Sequence, residues 1–175
     1  MLTRSLATAV ALAAGALLTV TSGAPAGPQP AVAAFDRLKA LAGEWVDVDG
    51  SLGMKGQVAV VYRVTGGGNS VIETLFAGQP HEMTTVYSRD GRHVVLTHHC
   101  AAGNQPRMRA QSTDGASLAF DYDGGTNLDP ARDGHMHNGR IEFVGPDLVR
   151  AQWIGWQNGK PSGHSPTFNL ARKKA

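Results

Sequence analysis

Seven histidines and one cysteine sit in a chain of 175 residues, and four of these side chains fall into two pairs with one-residue gaps. His98 and Cys100 form one pair, His135 and His137 the other. In an extended strand, residues two apart point to the same side. His98 and Cys100 therefore share a face with Val94 and Leu96, and His135 and His137 share one with Ile141 and Phe143 if their strand has no bulge. Those apolar companions turn both pairs inward. Buried imidazoles and a thiol need partners, and three arrangements would supply them. A transition ion such as zinc or copper takes imidazole and thiolate ligands, which makes His98, Cys100, His135 and His137 candidate metal ligands. A hydrogen-bonded lining around a small organic ligand is the second arrangement, and a satisfied interior without a guest is the third.

Other residues extend this set. Glu73 shares its parity with Val71 and Leu75, so it is expected to be an inward acid paired with Arg107 or Arg109. The two arginines share a strand face, where they would clamp a carboxylate or phosphate or simply face solvent. Trp153 and Trp156 differ in parity, so at most one points inward; Trp45, Tyr62, Tyr122 and Phe143 supply the apolar wall. The expected ligand-binding set is thus Trp45, Tyr62, Glu73, His98, Cys100, Arg107, His135, His137 and Phe143. Nucleophilic catalysis needs a thiol in hydrogen-bond reach of an oriented base, yet residues two apart on one strand stand about 6 to 7 Å from each other. No catalytic residue is therefore assigned, and whether the chain is an enzyme stays open. The loop Thr126–Gly134 is either a lid or a set of side chains capping local turns. Asn127, Asp129 and Asp133 match the alternating oxygen pattern of a calcium loop only in part.

The elements that must position these groups are read from alternation and turn residues. Phe35, Leu38 and Leu41 mark one stripe of a short helix over 35–42, with Gly43 as its C-cap. Strands follow from Glu44–Val48 onward, separated by Gly66-Gly67-Gly68-Asn69, Gly78-Gln79-Pro80, Asp90-Gly91, Gly103-Asn104-Gln105-Pro106, Asp114-Gly115, Gly145-Pro146-Asp147 and Asn158-Gly159. About ten strands joined by short turns make an antiparallel meander, and closing it into a barrel removes its edges. The expected fold is an all-β, up-and-down barrel of about ten strands with a short N-terminal helix; a two-sheet sandwich is the competitor.

Arg4 is the only charge before Asp36, and an apolar run from Leu6 to Leu18 follows it, then small residues. This is the layout of a signal peptide, too short for a membrane span of about 20 residues. Small-x-small sites lie at Ala24-Pro25-Ala26 and Ala31-Val32-Ala33, the first at the more usual distance. The organisation read from this is a signal peptide over 1–26, a spacer over 27–34 and one barrel domain over 35–175, exported to the periplasm or secreted, with no stable membrane span after cleavage. Loss of Arg4 leaves 15 basic against 14 acidic side chains. That balance excludes a nucleic-acid-binding stripe and makes long-range steering of a charged partner weak; the expected partner is a small molecule held in the barrel. With one cysteine no intramolecular disulfide can form.

The opening Leu38-x-x-Leu41-x-Gly43-x-Trp45 resembles the short helix and Gly-x-Trp start of the calycin barrels, the lipocalin-like and nitrobindin-like proteins. The block Leu96–Met108 resembles a stretch in exported bacterial lipocalin-like proteins of unassigned activity. The resemblance implies a barrel whose floor is closed by Trp45 beside the opening helix, and an apolar or amphipathic ligand held inside. It implies haem as an alternative cofactor with a histidine on iron, although Val46–Gly50 departs from the glycine-rich segment of the nitrobindin-like barrels and His164 sits in a turn. A third alternative is a barrel without a ligand that binds another envelope protein through its loop end.

Overall fold

The computed structural model describes residues 30–113 and 115–174, so the signal peptide expected over 1–26 and the start of the expected spacer lie outside the described residues. The chain order is helix α1 (Pro30–Ala40), then β1 (Gly43–Asp47), β2 (Val58–Thr65), β3 (Ser70–Leu75), β4 (Met83–Asp90), β5 (His93–His99), β6 (Gln105–Thr113), β7 (Ser117–Thr126), β8 (His135–Gly145), β9 (Leu148–Gln157), β10 (Lys160–Pro161) and β11 (Thr167–Arg172). Strands β1 to β9 pair with their sequence neighbours, all antiparallel; β11 then pairs with both β9 and β1 and closes a ten-strand barrel. The two-residue β10 adds to the far end of β9, beyond the stretch covered by β11. The sandwich reading is thereby replaced by one closed sheet.

Helix α1 begins five residues earlier than the apolar stripe indicates and ends at Ala40 rather than Ala42. Ala31, Ala33 and Ala34 are the strongest helix formers, which carries the helix back through most of the spacer. At the other end Arg172, from the last strand, donates to the carbonyls of Ala40 and Ala42 and satisfies helix-terminal acceptors that have no internal partner. Ala34, Phe35 and Leu38 are buried under the barrel end, and Arg37 reaches the carbonyls of Gly115 and Phe143. Trp45 is fully buried here; its indole N–H donates to Leu41 O at 2.7 Å, and its ring meets Tyr62 edge-on. One end of the barrel is thus sealed by α1, Trp45 and Phe143. The long connections 48–57, 76–82, 127–134 and 158–166 gather at the opposite, loop end.

The connection 48–57 is built around a group that sequence patterning does not flag. The Asp47 carboxylate is buried and accepts the backbone N–H groups of Gly50, Leu52 and Met54.

Alternation holds along most strands and fails at one place that matters for the site. In β8 the register slips between Met136 and Asn138. Gly139 pairs with the buried, inward Trp153, and Met136 pairs with Gly155, so Met136 faces inside with them. A bulge inserts one residue on one strand and reverses the parity beyond it. The condition on which His135 and His137 would line the interior is not met, and Met136 takes that place.

Gly139 is required by close approach. A Cβ built there would stand 2.2 Å from the Trp153 ring. Because both positions are buried, Gly139→Ala should lower stability by about 2 kcal/mol or more, measurable as a drop in the thermal unfolding midpoint. Trp153→Leu in the same chain should recover part of it.

Candidate functional site

The barrel interior carries a polar network in its middle. Glu73, on β3, is buried and accepts a hydrogen bond at each carboxylate oxygen, from Tyr62 of β2 at 2.8 Å and Tyr87 of β4 at 2.7 Å. The three strands are adjacent, and Glu73 stands directly across from Tyr62 and Thr85 in the two ladders. Burial pushes the Glu73 carboxyl above its ordinary value, opposed by the hydrogen bonds of Tyr87, Tyr62 and Thr85. Both tyrosine hydroxyls are held protonated, by burial first and then by the charge of Glu73, so they remain donors. Thr85 Oγ1 lies 2.9 Å from Nδ1 of His98 on β5 and carries the network to a fourth strand. Burial, with His99 nearby, drives His98 down to about 4, so the ring is neutral at neutral pH.

Next to this network lies a cavity of about 30 Å³, lined by Glu73, Leu75, Met83, Thr85, His98, Met136, Trp153, Pro166 and Phe168. Its walls are almost all carbon and sulfur. At about 10–15 Å³ per water centre it has room for roughly two waters. A larger guest has to displace side chains, and Met83 and Met136 are the ones with the torsional freedom to move. Both are only partly buried and pack on the rim of the core.

Of the residues singled out from the sequence, Tyr62, Glu73 and His98 come together in one network, with Glu73 and His98 also in the cavity wall. Trp45 and Phe143 belong to the sealed helix end, where the Arg37 guanidinium lies over the Phe143 ring. Arg107 is exposed, and Arg109 pairs on the outer surface with Asp90 and Asp123; neither reaches Glu73. Strand β5 ends at His99, so Cys100 lies in the following turn, where its thiol accepts the Ala102 N–H at 3.5 Å. Among the described residues, no three of the His, Cys, Asp and Glu side chains lie close enough to share a metal ion. His164 lies in the connection before β11.

His135 and His137 form a separate cluster at the loop end. His135 Nδ1 is 2.9 Å from the Asp133 carbonyl, which only accepts, so this nitrogen carries the proton. Its Nε2, 2.9 Å from His137 Nδ1, then accepts from His137. The His137 ring stacks on Trp156 of β9 at 3.8 Å and on Tyr122 of β7 at 4.8 Å. Burial and the neighbouring His135 lower the His137 pKa, against Asp121.

The residues missed by sequence reasoning are Thr85 and Tyr87, which satisfy Glu73 and His98, and Met83, Met136 and Phe168, which shape the cavity together with Trp153, the inward member of the Trp153/Trp156 pair. Thr85 and Tyr87 share their own strand's parity, but only the β3–β4 register sets them against Glu73.

No protein-family model matches the chain, and no curated protein matches it. The closed ten-strand antiparallel barrel with its short preceding helix fits a calycin-like fold, and no helix among the described residues is long and apolar enough to cross a membrane.

The lowered His98 pKa has a defined consequence for stability. The unfolded chain takes a proton on this residue near 6.5, whereas the folded chain resists until about 4. His98 therefore contributes stability above 6.5 that is lost as pH falls from 6.5 to 4, about 3 kcal/mol over the window. Glu73, with its raised pKa, works in the opposite sense: its contribution is present in acid and is lost as pH rises through the folded value. Urea unfolding across pH 4 to 7 should give native protein a steeper acid loss than His98→Gln; equal slopes would show that His98 is not the group responsible.

Proposed function

We propose that this chain is an exported calycin-like barrel that binds one small, largely apolar molecule in its interior, at the end away from α1. The observation that carries this reading is the carbon- and sulfur-walled cavity between Met83, Met136, Trp153 and Phe168, set beside the buried core. Two flexible methionines in its wall give a means of enlargement that aliphatic or aromatic side chains would not. The Glu73–Thr85–His98 network supplies the polar border, and the neutral imidazole favours an uncharged guest over an anion.

Export is supported by the leader-like residues 1–26. Cleavage after Ala26 leaves α1 whole, whereas cleavage after Ala33 would cut it just before the buried Ala34 and Phe35. The mass of the protein recovered from its native host should correspond to a chain starting at Gly27; an intact Met1 would defeat the export reading.

Binding is tested by following the methyl resonances of Met83 and Met136 while short 1-alkanols are added in order of chain length. Saturable shifts at these two methyls are expected, weakened at least tenfold in Met136→Phe, which fills the space while the barrel stays folded. Shifts that never saturate, or that persist unchanged in the filled variant, would refute an interior site.

A further inference from the structure

A second site lies outside the barrel interior. The β5–β6 turn, the β7–β8 loop and the end of β9 enclose a surface cleft of about 430 Å³, with Asn104, Asn127, Arg132, Asp133 and Gln157 among its walls. That volume is within the range of about 300–1,000 Å³ usual for small-molecule sites. The three walls are tied to one another. Asn104 Nδ2 donates to Gly134 O at 2.8 Å, Thr126 and Asn127 both donate to Gln105 Oε1, and Asn158 N donates to Arg132 O. Within the loop, Asp133 accepts the Asp129 N–H and Arg132 pairs with Asp129. The cleft is therefore held open before any ligand arrives, which lowers the ordering cost of binding.

Its polar groups are incompletely used. Asn104 is 4% exposed, and with its amide nitrogen committed to Gly134 its Oδ1 is left buried with no donor, the one such side-chain atom among the described residues. Buried acceptors without donors are rare and costly. Asp133 Oδ2 takes the Asp129 N–H, which leaves the other carboxylate oxygen for a ligand. Arg132 uses Nε for Asp129, which leaves its terminal N–H groups. Gln157 is exposed and offers both a donor and an acceptor.

We propose that this cleft binds a neutral polyhydroxylated molecule, a sugar or sugar alcohol, whose hydroxyls donate to Asn104 and Asp133 and accept from Arg132 and Gln157. The charges select this class. A cation would meet the Arg132 guanidinium and an anion the Asp133 carboxylate, whereas a hydroxyl group both donates and accepts and satisfies both. The site is independent of the apolar cavity and of what that cavity holds.

The test uses the full mature chain with labelled side-chain amides, titrated with D-glucose, D-mannose, trehalose and glycerol, and separately with calcium chloride. Saturable shifts of the Asn104 and Gln157 amides with at least one of the carbohydrates are expected. Gln157→Ala, an exposed change with no role in the fold, should weaken that binding several-fold, and Asp133→Asn about tenfold. Three results would overturn the proposal: no shift with any polyol at high millimolar concentration, a response to calcium alone, or binding that ignores both substitutions. Unfolding curves of the two variants matching the native protein establish that a loss comes from the cleft.

Discussion

A carboxylate in the middle of an apolar barrel sets the terms for the side chains around it. Glu73 cannot be solvated, so each of its oxygens is met by a hydroxyl from the strand on either side. That requirement fixes Tyr62 and Tyr87 as donors, and their rings then become the large buried bodies that fill the barrel: Tyr62 against Trp45, Tyr87 against Phe120. Removing one hydroxyl would leave a buried oxygen short of a partner, which costs more than a hydrogen bond contributes when made. The network also specifies register, because Tyr62, Glu73 and Thr85 meet only when β2, β3 and β4 are paired as they are.

The two ends of the barrel divide the work. At the helix end the closing side chains each have a second duty. Arg172 caps α1 while bonded to Asp147 and lying over Trp45, and Arg37 binds the carbonyls of Gly115 and of Phe143 in β8 while covering the Phe143 ring. At the loop end the connections are long and rich in side chains that bond to backbone: Asp47 under 48–57, Asp129 and Asp133 within 127–134, Ser162 beside Gly155. These bonds fix the loops together with local packing, since Leu52, Met54 and Phe76 rest on the core. Such loops can present polar groups to solvent at fixed positions, and a site for a small molecule needs that.

Much of the fold was legible from the chain itself. Alternation and turn residues gave the strand count to within the two-residue β10 and located nearly every reversal, because half-buried strands and tight turns have local signatures. Inward placement of Glu73 and His98 followed from parity alone. The remainder depended on relations between strands. The partner of Glu73 was expected to be Arg107 or Arg109, yet those arginines stand on the outer face and the partners are tyrosines from the flanking strands. Nothing in the one-dimensional pattern weighs a tyrosine hydroxyl against a guanidinium. Likewise the pairing of His98 with Cys100 failed because β5 stops one residue before the cysteine, and strand ends are poorly marked by alternation.

The bulge in β8 shows how one inserted residue redistributes chemistry. Without it His135 and His137 would stand in the barrel beside His98, two more imidazoles in a space that already holds a carboxylate. With it, Met136 enters the wall and the two histidines leave for the loop end, where backbone carbonyl, imidazole and two aromatic rings satisfy them. His98 is the one imidazole in the cavity lining, and the cavity keeps its apolar wall. The sequence pattern His-Met-His is therefore a swap of polar for apolar lining, carried out by backbone geometry, and it explains how a histidine-rich strand can face a pocket made of carbon and sulfur.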